Sequence, residues 1–160
     1  MLKLAFYQDN ETDRARIASY QLSSNPEFTA TPEQALAQAK DDADRHPVLI
    51  LEDGKMVGFF VLVTGTGVDE VHADRQKAVL IRSLSVAENA RGRGVATRAF
   101  KMLPEFVHEQ WPAVRELTLS VDHGNSVAQG LYKKLGYTDT GKRGFGRYGT
   151  QYVLTYPLNY

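Results

Sequence analysis

The run Arg91-Gly92-Arg93-Gly94-Val95-Ala96-Thr97 has the residue types of a phosphate cradle. Its setting, from Val79 to Phe100, predicts a buried strand, a glycine-rich turn and a helix N-terminus in succession. Free N–H groups at a helix start, with the positive end of the helix dipole, make a ready anion site. Gly92 and Gly94 interpose no side chain between the backbone and a phosphate. Ala96 is small where the helix must pack closely, and Arg91 and Arg93 bring positive charge. A plain glycine turn with two solvated arginines reads the same way, because Gly-x-Gly alone is a weak signal. A P-loop needs Gly-x-x-x-x-Gly-Lys-Ser/Thr, which is absent. A dinucleotide fingerprint, Gly92-x-Gly94-x-x-Thr97, lacks its third glycine and follows a hairpin, not the first strand of a parallel sheet.

The elements that must position this run follow from pattern and punctuation. Leu2 to Phe6 reads as a strand and about Glu11 to Leu22 as a helix. A second helix starts with Thr31 as N-cap, Pro32 at the first position and Gln34 closing a capping box. It should end before His46-Pro47, since a residue preceding proline avoids helical angles. The apolar runs Val48 to Leu51 and Met56 to Val63 flank Asp53-Gly54, the signal of a tight hairpin. Thr64 to Lys77 reads as a loop, and Ala78 to Val86 as the fourth strand. The helix after Gly94 keeps Ala99, Phe100, Leu103, Phe106 and Val107 at helical spacing, and Pro104 predicts a kink or early break. Leu117 to Val121 is the fifth strand. A short helix, capped by Asn125 and stopped by Gly136, has the core stripe Val127, Ala128, Leu131 and Leu135. Two strands within Tyr137 to Tyr156, joined by the glycine-rich run Arg143 to Gly149, end the chain. Hairpins and β-α-β units coexist, so the fold class is α/β with a mixed sheet.

Composition sets the outer limits. The 160 residues fit one domain, spanning 1–160, with an ordinary 42% hydrophobic and 24% charged residues. The absence of cysteine removes disulfides, thiolate metal sites and a cysteine nucleophile. Nineteen basic and 19 acidic residues balance, which argues against nucleic acid as a partner. His46, His72, His108 and His123 show no metal-ligand spacing. No apolar stretch suits a signal peptide or a membrane span, so a cytoplasmic protein with no membrane partner is expected.

Two segments together resemble the GCN5-related N-acetyltransferase (GNAT) family. Arg91-x-x-Gly94-x-Ala96, after Leu84-Ser85-Val86, matches the family's Gln/Arg-x-x-Gly-x-Gly/Ala signature. Asn125-Ser126-Val127-Ala128-Gln129-Gly130-Leu131-Tyr132, then Lys133-Lys134-Leu135-Gly136-Tyr137, matches Asn-x-x-Ala-x-x-Leu-Tyr-x-x-x-Gly-Phe/Tyr. The match is close from about Val79 to Tyr137. It implies a central, mostly antiparallel sheet flanked by helices, with acetyl-CoA as cofactor and CoA as product. It implies that the backbone of Leu84, Ser85 and Val86, at a strand bulge, binds the pantetheine arm and acetyl carbonyl. Gly92, Arg93, Gly94, Val95, Ala96 and Thr97, with Arg91 beside them, would hold the pyrophosphate. Asn125 would touch the cofactor arm, and Tyr132 would stand by the thioester sulfur as general acid.

The implied reaction is direct transfer of an acetyl group to a primary amine of a small molecule or peptide. A second copy of the chain, as a homodimer, is one further partner allowed. A lysine-like amine is neutral roughly once in 2,500 molecules at pH 7, so a base or water relay is expected unless the acceptor is a weaker amine. Many family members carry a glutamate on the fourth or fifth strand. Here Ala78 to Val86 has no carboxylate, and Leu117 to Val121 has none before Asp122. Asp122, His123, Glu70 and a water held by Ser83 or Ser120 remain as candidates. Phe145 and Tyr148 are candidates to line the acceptor side, and Asp69, Glu70 and Asp74 to attract a cation. A non-catalytic acyl-CoA sensor on the same scaffold is the competing reading.

Overall fold

The computed structural model describes residues 1–20 and 30–159. The elements run β1 (Leu2–Phe6), α1 (Glu11–Ser19), α2 (Pro32–Lys40), β2 (Arg45–Glu52), β3 (Lys55–Val63), β4 (Ala78–Val86), α3 (Val95–Gln110), β5 (Glu116–Asp122), α4 (Ser126–Lys134), β6 (Thr138–Gly146) and β7 (Gly149–Pro157). The strands form one seven-stranded sheet in the order β1-β2-β3-β4-β5-β7-β6. β1–β2, β5–β7 and β6–β7 pair antiparallel, while β4–β5 pairs parallel, from Ala78↔Glu116 to Ile81↔Leu119. The expected mixed, mostly antiparallel sheet with flanking helices is therefore present. Among the described residues, no helix is long and apolar enough to cross a membrane.

The chain divides into two compact units. Met1–Leu62 with Ser83–Leu103 form the first, and Val63–Arg82 with Pro104–Tyr160 the second. In the first, β2 and β3 are joined at Asp53 (φ 51) and Gly54 (φ 85). Two positive φ values define the tight turn whose twist suits a hairpin, which is why Asp-Gly signals it. Val48, Leu49, Ile50, Phe59, Phe60 and Leu62 are fully buried there. Phe100 of α3 meets Phe60 edge to face, 6.4 Å between centroids. In the second unit, Leu117, Leu119, Val153 and Leu154 form the centre, and the Thr118 hydroxyl donates to the Leu154 carbonyl at 3.0 Å.

Several expectations change. α1 stops at Ser19, because Tyr20 is extended (ψ 125) and its N–H turns back to Ile17. The remainder of that expected helix, 21–22, lies outside the described residues. α2 closes its capping box as expected but ends at Lys40, and His46-Pro47 belongs to β2. A short 3-10 helix, Gly65–Val71, occupies part of the expected loop. α3 runs through Pro104 for 16 residues, so that proline does not break it. Arg143 to Gly146 are strand, not loop, and the turn is Arg147-Tyr148. Val127, expected in the α4 core stripe, is 84% exposed; Tyr132 is the residue that α4 buries.

Candidate functional site

The cradle residues all fall in the first unit. β4 begins regularly, then Ser83 takes φ 59 in mid-strand. An L residue avoids that region, so the position marks a deliberate break in the ladder. Leu84 and Val86 after it are half-buried and Ser85 is buried, which gives the expected bulge a position. On β3, a Cβ at Gly58 would stand 3.1 Å from the Ser85 carbonyl, so glycine lets the neighbouring strand close on this segment. The Ser85 hydroxyl is 2.9 Å from that of Tyr20. Burial pushes Tyr20 up to about 12, against the lowering effects of Ser85 and Arg91.

After a 3-10 turn, Glu88–Ala90, Arg91 is extended, Gly92 has φ 77 and Gly94 has φ 70. A Cβ at either glycine would meet nothing within 4 Å, so open space stands over both. Their requirement is conformational, and the free face is what a bound pyrophosphate needs. α3 begins at Val95, which is buried and anchors the turn. Arg98 N–H donates to the Gly94 carbonyl at 2.9 Å, so the N–H groups of Val95, Ala96 and Thr97 have no acceptor within the helix. No acidic residue lies in the first turn to oppose an anion.

Arg93 does not point its charge freely at this space. Its Nη1 donates to Glu52 Oε1 at 3.0 Å, and Arg98 Nη1 donates to Glu52 Oε2 at 3.1 Å. Glu52, at the end of β2, thus straps the cradle loop and the first turn of α3 together. Tyr20, Glu52 and Arg98 were missed by sequence reasoning. Arg98 had a signal, a cation one turn into the helix after the motif; Tyr20 and Glu52 had none.

Asn125 and Tyr132 fall in the second unit. Asn125 Oδ1 accepts from Ala128 N–H at 3.2 Å, so the side chain caps α4. Tyr132 is 8% exposed, and burial pushes its hydroxyl up to about 12. Its ring lies 6.0 Å from Tyr137, which lies 5.2 Å from Tyr156. Tyr156 is the cross-strand partner of Leu117 and shares that face of the sheet with Leu117, Leu119 and Val121, so Tyr137 links Tyr132 to it.

The candidate bases separate clearly. Glu70 accepts from Arg82 at 2.5 Å, and Asp69 is paired with Arg75. Asp74 takes the N–H of Gln76. Each of these acids thus has a partner close by in the chain. His123 is exposed, and its Nδ1 faces the Thr150 carbonyl at 3.1 Å. A carbonyl only accepts, so Nδ1 carries the hydrogen. Asp122 is 7% exposed, and its carboxylate accepts from Gln151 Nε2 at 3.4 Å. Ser83 and Ser120 are half-buried. Phe145 (86%) and Tyr148 (44%) are exposed on the β6–β7 hairpin.

Comparison with known proteins gives a consistent set. The model of the Acetyltransferase (GNAT) family matches residues 9–137. The uncharacterized N-acetyltransferase YbbJ of Bacillus subtilis (strain 168) is 35% identical over 154 residues, covering 96% of this chain and 95% of that protein. Two solved structures are similar at lower identity. The ribosomal-protein-S18-alanine N-acetyltransferase of Escherichia coli superposes with a TM-score of 0.67 at 14% identity, covering 100% of this chain and 96% of that one. Aminoglycoside acetyltransferase AAC(6')-Ib, in complex with coenzyme A and kanamycin, gives 0.75 at 18%, covering 98% and 95%.

Proposed function

The chain belongs to the GNAT family of acetyltransferases, and from that membership we propose that residues 1–160 act as one domain moving the acetyl group of acetyl-CoA directly onto a primary amine of a small molecule or peptide. The observation that carries this reading is the run from Ser83 to Thr97. A left-handed serine breaks β4, and two left-handed glycines with open space above them lead into a helix start free of acidic residues. Such a segment suits a pyrophosphate, and in this reading a backbone N–H of the broken strand meets the thioester oxygen.

In this reading the backbone from Leu84 to Val86 aligns the pantetheine arm and polarises the acetyl carbonyl. Gly92 to Thr97 hold the pyrophosphate, Arg91 and Arg98 add charge, and Asn125 meets the arm. Tyr132 faces the sulfur. A phenol held near 12 keeps its proton at every working pH. Giving that proton outright to a thiolate of pKa about 8.5 would be uphill by about 5 kcal/mol. Tyr132 is therefore a hydrogen-bond donor to the departing sulfur and a relay for a proton arriving from the amine. Relatives of this fold named for an alanine of a ribosomal protein and for aminoglycosides support leaving both peptide and small-molecule acceptors open.

Calorimetry with acetyl-CoA, CoA and NAD, followed by release of free CoA across a panel of amines, tests the proposal. Binding of both CoA species and release with at least one amine are expected. Binding of NAD alone would sink it, and tight acetyl-CoA binding without release for any amine would identify a sensor instead.

A further inference from the structure

The three arginines around the cradle are not used alike. Among the described residues Arg91 makes no ion pair, whereas Arg93 and Arg98 both give an N–H to the same carboxylate, that of Glu52, at 3.0 and 3.1 Å. Glu52 comes from outside the motif, at the end of β2 and opposite Leu2 of β1. The acid beside it, Asp53, is already taken by the N-terminal ammonium, at 2.7 Å. The first turn of α3 itself carries no acidic residue, so the sheet brings a negative charge to a helix start that lacks one. Such a charge works against anion binding and calls for an explanation other than affinity.

Stability is a poor explanation. Arg93 and Arg98 are 50% and 44% exposed, and ion pairs so open to water contribute little. Each arginine gives Glu52 a single N–H, not the two-pronged grip of a tight pair. Arg98 turns a second N–H on the Arg93 carbonyl, at 3.4 Å, which gathers both guanidiniums at Glu52. Arg93 stands between the left-handed Gly92 and Gly94, so the direction of its side chain sets how much charge faces the open space over them. Three unrestrained arginines at a helix start would attract any polyphosphate. With two of them drawn to Glu52, the backbone N–H groups and Arg91 are left to select by shape.

Resting on the transferase reading above, we propose that Glu52 is a specificity-determining residue. It holds Arg93 and Arg98 back, so that the cradle takes the diphosphate of a CoA and rejects more highly charged polyphosphates. The basis is the product of charges. Inorganic tripolyphosphate carries about twice the charge of a diphosphate diester, so a fixed negative charge nearby repels it about twice as strongly. A repulsive group that excludes the wrong ligand more than it weakens the right one is an ordinary route to selectivity. Glu52 touches neither cofactor nor acceptor in this assignment and acts through the two arginines.

The test titrates the protein with acetyl-CoA and, separately, with sodium tripolyphosphate, at low salt and without divalent cations. The wild type should prefer acetyl-CoA. Glu52→Gln should tighten tripolyphosphate about tenfold and acetyl-CoA about threefold, narrowing the preference about threefold. Glu52→Asp keeps the charge and should keep most of the preference. Adding Arg93→Gln and Arg98→Gln to Glu52→Gln should return tripolyphosphate to its wild-type affinity or weaker. A merely structural role would move both ligands alike. Equal gains for the two ligands, no gain for tripolyphosphate, or a gain that survives loss of both arginines would overturn the assignment. So would a wild type that binds both ligands without preference, or Glu52→Asp losing the preference as fully as Glu52→Gln. A wild type that binds tripolyphosphate but not acetyl-CoA would instead overturn the transferase reading and this assignment with it.

Discussion

The Tyr20 hydroxyl lies 2.9 Å from the Ser85 hydroxyl, joining the end of α1 to the part of β4 that follows its break. Ser85 is 7% exposed, so few waters could replace that partner. Tyr20→Phe should cost about 1–2 kcal/mol of stability, the range for a buried hydroxyl losing its bond. The fall should appear as a lower urea midpoint at an unchanged slope. An unshifted midpoint would mean that the bond contributes nothing net.

Tyr132→Phe keeps the ring against Tyr137 and removes only the hydroxyl. Turnover should fall about 10- to 100-fold while the KM for acetyl-CoA stays within about twofold. Equal turnover at saturating substrates would remove the hydroxyl from the mechanism.

The same residue predicts behaviour in alkali. A tyrosine ionises near pH 10 in the unfolded chain, whereas buried Tyr132 keeps its proton to about 12. Its contribution is whole below about pH 10 and is lost as pH rises from about 10 to 12, to the extent of about 3 kcal/mol. Denaturant midpoints across that window should fall less steeply for Tyr132→Phe than for the wild type. Parallel curves would refute the linkage.

Glu52 holds Arg93 and Arg98 through its two oxygens, and its side chain is 18% exposed while both arginines are about half exposed. Glu52→Gln removes a negative charge beside the cradle and releases two cations. Acetyl-CoA affinity should rise a few-fold at low salt and lose that gain as salt is added. Titrations at two ionic strengths decide it; weaker binding at both would show that the strap matters more than the charge.

Gly94→Ala separates conformation from space. Nothing crowds a Cβ there, so the cost is the left-handed φ of 70 alone, about 1 kcal/mol. Stability should drop by that much, and acetyl-CoA binding by at least tenfold as the turn relaxes or the methyl meets phosphate. A stability loss without an affinity loss would place the pyrophosphate elsewhere.

Much of the fold was readable because its signals are local. Asp53-Gly54 names its own hairpin, Thr31 with Gln34 its own cap, and Asn125 the start of α4, each through bonds spanning a few residues. The errors were also instructive. Pro104 predicted a kink or an early break, and the helix does not break there, with Leu103 and Val107 fully buried on either side. Val127 fitted the helical stripe but faces outward, because periodicity gives a face to within about one residue and the packing of Tyr132 chose the other side.

The sequence by itself determined which chemistry is present: a glycine turn before a helix, a capped helix carrying Tyr132, and no cysteine. Those features are short-range, so residue type and spacing suffice to write them. Tertiary structure alone decided how their charges are spent. Glu52 reaches Arg93 across 41 positions and Arg98 across 46, and Tyr20 reaches Ser85 across 65. Such meetings depend on strand order and register, which no local pattern encodes. The same holds for Asp122, an ordinary aspartate in the sequence. Only the β5–β7 register places it directly across from Gln151, where it is 7% exposed.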